Sequence, residues 1–182
     1  IKMLSMGKQT AELKVPVGKA VCSLNIIPVS ISYEYNPCDE LIANELHELA
    51  TTGSFEKDDR SDIISISTGL NENKGAVHIT YGAELCPSDD EDAATIATSI
   101  DKQILLNYFL HPSNYLAYRR LREVDPSIGP SLEEMDIKIT DEKEVEFKMR
   151  LENLRDELKP YFLDIYANPV LSRLRILEEK ES

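Results

Sequence analysis

One stretch, Asn25–Tyr35, constrains this chain more than any other. It reads Asn-Ile-Ile-Pro-Val-Ser-Ile-Ser-Tyr-Glu-Tyr and is dense in β-branched and aromatic residues. A short helical pattern precedes it, and the turn signal Asn36-Pro37 follows. Such a run predicts a buried strand of an α/β sheet. Pro28 has no N–H to donate, so it belongs near the strand start or beside an unpaired edge. A core strand with no other duty would carry the same residues.

The rest of the chain bounds what surrounds that strand. With 182 residues there is room for one domain or one and a half. An apolar content of 42% beside 29% charge is that of a globular chain. A formal net charge of −13 opposes nonspecific binding to nucleic acid or to anionic lipid. Three cysteines, at 22, 38 and 86, form no close spacing, and their odd number predicts reduced thiols in a cytosolic setting. No apolar run approaches the roughly 20 residues that span a bilayer, and no signal peptide opens the chain. Ile1–Met6 already reads as helix, which predicts a start cut from a longer protein.

Taken in order, Gly7 is expected to close the first helix and Lys8–Leu13 to be a loop. Pro16–Leu24 reads as a short helix with Val17, Val21 and Leu24 inward. Asn36-Pro37-Cys38-Asp39-Glu40 is a helix start, with Asn36 as cap and the acids at the positive end of the dipole. Leu41, Ile42, Leu46 and Leu49 then recur at helical spacing, and His47 falls among them. Gly53–Arg60 is a charged loop. Ser61–Gly69 fits strand and helix templates alike, and its Ser61-Asp62 start and Gly69 stop favour a short helix. Gly75–Gly82 is a second strand, with Val77, Ile79 and Tyr81 on one face and His78 and Thr80 on the other. Both faces of an α/β sheet are expected to be covered, which makes His78 structural.

The acidic run Glu84–Asp92 lacks the alternation and glycine of a calcium loop and reads as a linker. Asp92–Leu110 is the clearest helix, with Ile96, Ile100, Ile104 and Tyr108 every fourth residue. Asn114–Glu123 continues as helix and carries the dense basic cluster Arg119, Arg120 and Arg122. That cluster either faces a phosphate or lipid head group or forms a solvated helix face. Asp125–Asp136 is a connector. Asp141–Leu158 is a charged helix with Asp141 and Glu144 as a capping-box variant. Asn168-Pro169 is expected to interrupt the end, leaving a last helix over Val170–Glu179 with Leu171, Leu174 and Leu177 inward.

The wording of several segments is more specific than their periodicity. Ile27-Pro28-Val29-Ser30-Ile31 resembles the fourth conserved block of the glycerolipid acyltransferases, the family of bacterial 1-acyl-glycerol-3-phosphate acyltransferases. The longer run Pro28–Asp39 resembles one bacterial branch of that family. Further resemblances follow in the same order: Lys74–Ile79, Ile100–Ile104, Asn107-Tyr108, Pro112–Tyr115 and Tyr166–Val170. The departure is as informative. The family's catalytic motif is His-x-x-x-x-Asp, in which the His is the general base and the Asp orients it. Five residues after His47 stands Thr52, after His78 Ala83, and after His111 Leu116. The phosphate-binding Glu-Gly-x-Arg motif is absent too.

The resemblance therefore implies the C-terminal portion of a phospholipid acyltransferase. Residues 1–86 would be the end of its α/β domain and residues 87–182 a mainly helical region. Such an enzyme moves a fatty acyl group from a coenzyme A or acyl carrier protein thioester to the free hydroxyl of a lyso-lipid. No catalytic residue, metal ligand or cofactor is expected within the chain itself. Its expected contribution is a wall of the substrate site, because ligands bind at the carboxyl ends of strands in open α/β sheets. Pro28, Val29, Ser30 and Ile31 would form the floor, with Ser32, Tyr33 and Glu34 nearest the acceptor. The implied partners are the chain's own N-terminal catalytic half, the lyso-lipid and the acyl thioester. The implied location is cytoplasmic, peripheral to the inner membrane through the parent protein, with no nucleic acid bound. A second class stays open, a non-catalytic helical interaction module with an acidic surface. An independent hydrolase lacks any nucleophile motif such as Gly-x-Ser-x-Gly.

Overall fold

Apolar residues sort this chain into helices far more than strands. The computed structural model describes residues 1–6, 15–56 and 60–181. In chain order the elements are α1 (Lys2–Met6), α2 (Val17–Cys22), β1 (Val29–Tyr33), α3 (Asp39–Thr52) and α4 (Ser61–Asn71). There follow β2 (Val77–Tyr81), α5 (Ala93–Asn107), α6 (Pro112–Val124), α7 (Asp141–Glu152) and α8 (Lys159–Glu181). Short 3₁₀ turns occupy Pro126–Ile128 and Asp156–Leu158. The fold is mixed and mainly helical, with a two-stranded antiparallel sheet. Gly7, the Lys8–Leu13 loop and residues 57–59 of the Gly53–Arg60 loop lie outside the described residues.

The chain forms two units, each discontinuous in sequence: Ile1–Ile31 with Ile79–Phe109, and Ser32–His78 with Leu110–Ser182. The expected boundary at residue 86 falls inside the first.

In the first unit, α2 packs on α1 and α5, and Ala20, Val21, Leu85 and Ile96 are buried. Asp92 caps α5 through the Thr95 N–H (2.8 Å). Of the expected stripe along α5 only Ile96 is fully buried; Ile100, Ile104 and Tyr108 are half-buried. The ladder begins here: Gly82 N–H donates to the Pro28 carbonyl and Leu85 N–H to that of Ile26, both at 2.8 Å. That continued pairing brings Cys22 and Cys86 together as a disulfide with Cα atoms 4.5 Å apart. The expectation of three reduced thiols is corrected accordingly. Sequence spacing gave no hint, because the two residues are 64 apart and strand pairing alone makes them neighbours. Cys38 stays free.

In the second unit, α8 lies along α6 and α3, and α7 packs on α6. Tyr35, Leu116, Tyr118, Phe147, Leu158, Phe162, Tyr166 and Val170 form the core. The rings of Phe162 and Tyr166 sit 4.8 Å apart and both contact Phe147. This packing also corrects the expected break at Asn168-Pro169: α8 runs through Pro169 without interruption. A proline removes one backbone hydrogen bond, and side chains buried on both sides of it hold the rod together. The last turns differ from expectation as well, with Ile176 buried and Leu177 exposed. Thr140, not Asp141, caps α7, accepting from the Lys143 N–H.

Phe162→Ala should cost about 3–5 kcal/mol, the usual price of emptying a fully buried aromatic site. Leu177→Ala should change stability far less, as exposed positions do. Urea unfolding of both variants checks the assignment of core and surface.

Candidate functional site

The seven residues expected to line a substrate site, Pro28–Glu34, are β1 and its two flanking residues, and strand geometry divides them. Successive side chains of β1 point to opposite faces. Val29 and Ile31 are 40% and 48% exposed, whereas Pro28, Ser30 and Glu34 are buried and Tyr33 is half-buried. The ladder places Ile31 opposite Ile79 and Ser32 opposite His78. The expected covering of both sheet faces is therefore corrected. The apolar Val29, Ile31, Ile79 and Tyr81 are exposed, and the polar Ser30, Ser32 and Glu34 of the first strand stretch are enclosed, while on β2 His78 is exposed rather than covered and Thr80 is half-buried.

Each enclosed polar group is satisfied. Ser30 Oγ donates to the Ile104 carbonyl (3.2 Å) in the first unit. In the second, Ser32 Oγ meets His111 Nε2 at 3.2 Å. Ser113 Oγ donates to the Glu34 carbonyl (2.5 Å). His111 N–H donates to Asn114 Oδ1 (2.8 Å), and the Asn114 amide donates to the Tyr166 carbonyl (2.9 Å). Glu34, expected near the rim, has both carboxylate oxygens engaged. Oε1 pairs with Lys143 Nζ at 2.7 Å, and Oε2 accepts from the Ala76 N–H at 3.0 Å. A turn at Gly75, with φ of +61°, lets the chain pass over this carboxylate; a Cβ there would stand 2.7 Å from Oε2.

Ser32 and His111 are the pairing that sequence reasoning missed. They lie 79 residues apart, and no local motif links them. Their chemistry resembles a nucleophile and its base, but Ser32 is 1% and His111 2% exposed. A nucleophile needs access to substrate, so the pair works as an internal junction. Burial pushes the His111 imidazole below its ordinary range, against the opposing pull of Ser32 and Glu34. Burial alone would raise the Glu34 carboxyl, yet Lys143 and the Ala76 N–H outweigh it and hold the group below the usual carboxylate value.

A second cluster lies where α3 begins. Asp39 is 4% exposed. Its Oδ2 accepts from Arg150 Nε at 2.8 Å and from the Tyr166 hydroxyl at 2.7 Å. That hydroxyl also accepts from the Asn36 N–H (2.8 Å), and Arg150 stacks 5.0 Å from the Tyr35 ring centroid. Burial between these groups drives the Tyr166 phenol far above its ordinary value. Elsewhere, His47 meets Tyr161 edge to face with ring centroids 5.7 Å apart. The basic cluster is held within the protein: Arg119 on Glu144 (2.8 Å), Arg120 on Glu123 (3.1 Å) and Arg122 on the Gly129 carbonyl (2.9 Å).

Among the described residues no group of His, Cys, Asp and Glu is arranged to hold a metal ion, and no helix is long and apolar enough to cross a membrane. Comparison with family models, with curated proteins and with solved structures finds no match.

Two outcomes follow from this geometry. Glu34→Gln should destabilise the chain by about 1–3 kcal/mol, because it removes a charge-assisted contact from Lys143; urea unfolding at neutral pH measures it. The pH dependence has a definite sign. His111 has a lowered folded pKa, so the unfolded state binds its proton first and stability declines as pH falls below about 6.5. Glu34 adds a second decline below about 4.5. Unfolding midpoints between pH 4 and 8 should fall on acidification, and His111→Gln should flatten the decline that sets in below about 6.5.

Proposed function

We propose that this chain is the C-terminal part of a bacterial glycerolipid acyltransferase. In that reading it belongs to an enzyme that passes a fatty acyl group from a thioester to the free hydroxyl of a lyso-lipid such as 1-acyl-glycerol-3-phosphate. The supporting observation is the polarity of the strands in the first unit. Val29, Ile31, Ile79 and Tyr81 are 40–72% exposed on one face, while Ser30 opposite is buried. Two strands alone make a marginal sheet, and a contiguous exposed apolar face marks a surface that another element covers. A catalytic half bringing further strands would cover that face and pair with the open edges.

The division of labour follows from residue chemistry. Acyl transfer to a hydroxyl needs a base for the departing proton and donors for the developing oxyanion. His111 is enclosed, and neither His47 nor His78 is followed at the required spacing by an Asp. The base therefore comes from the N-terminal half. This chain supplies the sheet floor, Pro28–Ile31, while Tyr33 sits between that floor and the enclosed Glu34. The thioester is a substrate, not a resident cofactor, and the membrane is met through the parent protein at the inner face of the inner membrane.

The test is complementation. The chain alone, given acyl thioester and lysophosphatidate, should show only background turnover, and co-expression with the upstream half of the same reading frame should restore it. Ile79→Asp should leave the isolated chain's stability within about 0.5 kcal/mol, as exposed positions do, yet abolish complementation. Turnover by the chain alone, or full complementation by Ile79→Asp, would overturn the reading.

A further inference from the structure

In the second unit a cavity of about 420 Å³ opens beside the first turn of α3, the end of α4 and the end of α7. Its size suits a small polar ligand. Its charges are mixed, and they are not used equally by the protein.

Asp39 and Arg150 form the inner wall, and Asp39 is fully engaged. Its Oδ1 accepts from the Glu40 N–H and its Oδ2 from Arg150 and Tyr166. Arg150 is different. It donates through Nε to Asp39 and through Nη2 to the Asn36 carbonyl (3.4 Å), and Tyr166 stands beside it. A guanidinium has five N–H donors in a planar fork, more than these contacts use. Its side chain is 33% exposed and lines the cavity. The fork cannot swing away, because Asp39 and the Tyr35 ring fix it. Asn153 adds an amide on the same lining.

Glu40 and Glu72 also line the cavity, and both are exposed. Neither carboxylate has an ion-pair partner among the described residues; the nearby Lys74 ammonium reaches the Glu72 backbone carbonyl at 3.1 Å. Asp39 is offset by Arg150, so the cavity carries two carboxylates in excess beside a preorganised guanidinium. A simple anion would meet Arg150 but be opposed by both glutamates. A simple cation would satisfy the glutamates and leave the fork and the Asn153 amide without a partner. No group of residues here is arranged for a metal ion.

We propose that this cavity binds a small zwitterion. Its ammonium lies between Glu40 and Glu72, and its phosphate or carboxylate accepts from Arg150 and Asn153. The ligand is a free small molecule or the head group of an aminolipid, which present the same chemistry. The proposal does not rest on the acyltransferase reading.

Titration calorimetry on the full chain tests it with O-phosphoethanolamine, inorganic phosphate and ethylamine. Phosphoethanolamine should bind at least about tenfold more tightly than either half-molecule. Glu72→Gln and Asn153→Ala, both at exposed positions, should each weaken it about fivefold, the scale of one partly exposed polar contact; circular dichroism checks that both variants stay folded. Sedimentation with phosphatidylethanolamine–phosphatidylcholine vesicles, against phosphatidylcholine alone, separates the sources. Selective co-sedimentation supports a lipid head group; binding of free phosphoethanolamine without it supports a free metabolite. No binding in either form, equal affinity for phosphate or ethylamine, or unchanged affinity in both variants would overturn the proposal.

Discussion

The second unit depends on one enclosed carboxylate. Asp39 opens α3, and its oxygens gather Arg150 from α7 and the Tyr166 hydroxyl from α8. A buried charge is tolerated only when it is paired and hydrogen-bonded, so the three helices cannot separate without exposing that requirement. Tyr166 then carries the constraint inward. Its ring packs on Phe162 and Phe147, and its hydroxyl holds the Asn36 N–H just after the strand. The aromatic core and the ionic cluster are two ends of one side chain's environment.

The other organising constraint is the inverted strand. Ser32 and Glu34 turn toward the helices of the second unit, and Ser30 toward α5 in the first. Every one of them meets a partner that the helices supply: His111 and Lys143 in one unit, the Ile104 carbonyl in the other. In each unit the enclosed polar groups of the strand are hydrogen-bonded, and in the first unit Val29, Ile31, Ile79 and Tyr81 are left bare. A soluble sheet normally buries its apolar face, because removing apolar area from water is the main favourable term in folding. The reversal is what gives the proposed partnership with a further catalytic half its physical content.

Much of the helical framework was legible in the residues. Asp39-Glu40 in the first turn of α3, Asp92 before α5 and the Pro112 break stand where local chemistry put them, because capping and dipole effects act within one turn; the expected cap Asn36 is corrected, since α3 starts at Asp39 with Cys38 as its cap residue and Asn36 Oδ1 accepts from the Cys38 N–H. The alternation of Val77, Ile79 and Tyr81 with His78 and Thr80 likewise gave the strand. What alternation cannot state is which face is buried; that depends on what packs against it. Pro169 misled for a related reason: local propensity predicts a break, and the packing of Phe162, Tyr166 and Val170 overrides it.

The sequence by itself determined where several of the helices lie, which residues alternate along β1 and β2, and that no His here carries the acyltransferase spacing. These are properties of neighbours in the chain. Only the tertiary structure decided that Ser32 meets His111, that Cys22 meets Cys86, that Glu34 is clamped by Lys143, and that Arg150 shares one cavity with Glu40 and Glu72, which have no ion-pair partner among the described residues. The pairs Cys22–Cys86, Ser32–His111 and Arg150–Asp39 are brought together across 64, 79 and 111 residues of chain. The energy that joins them is that of buried charges finding partners and apolar rings leaving water, and neither leaves a local pattern to read.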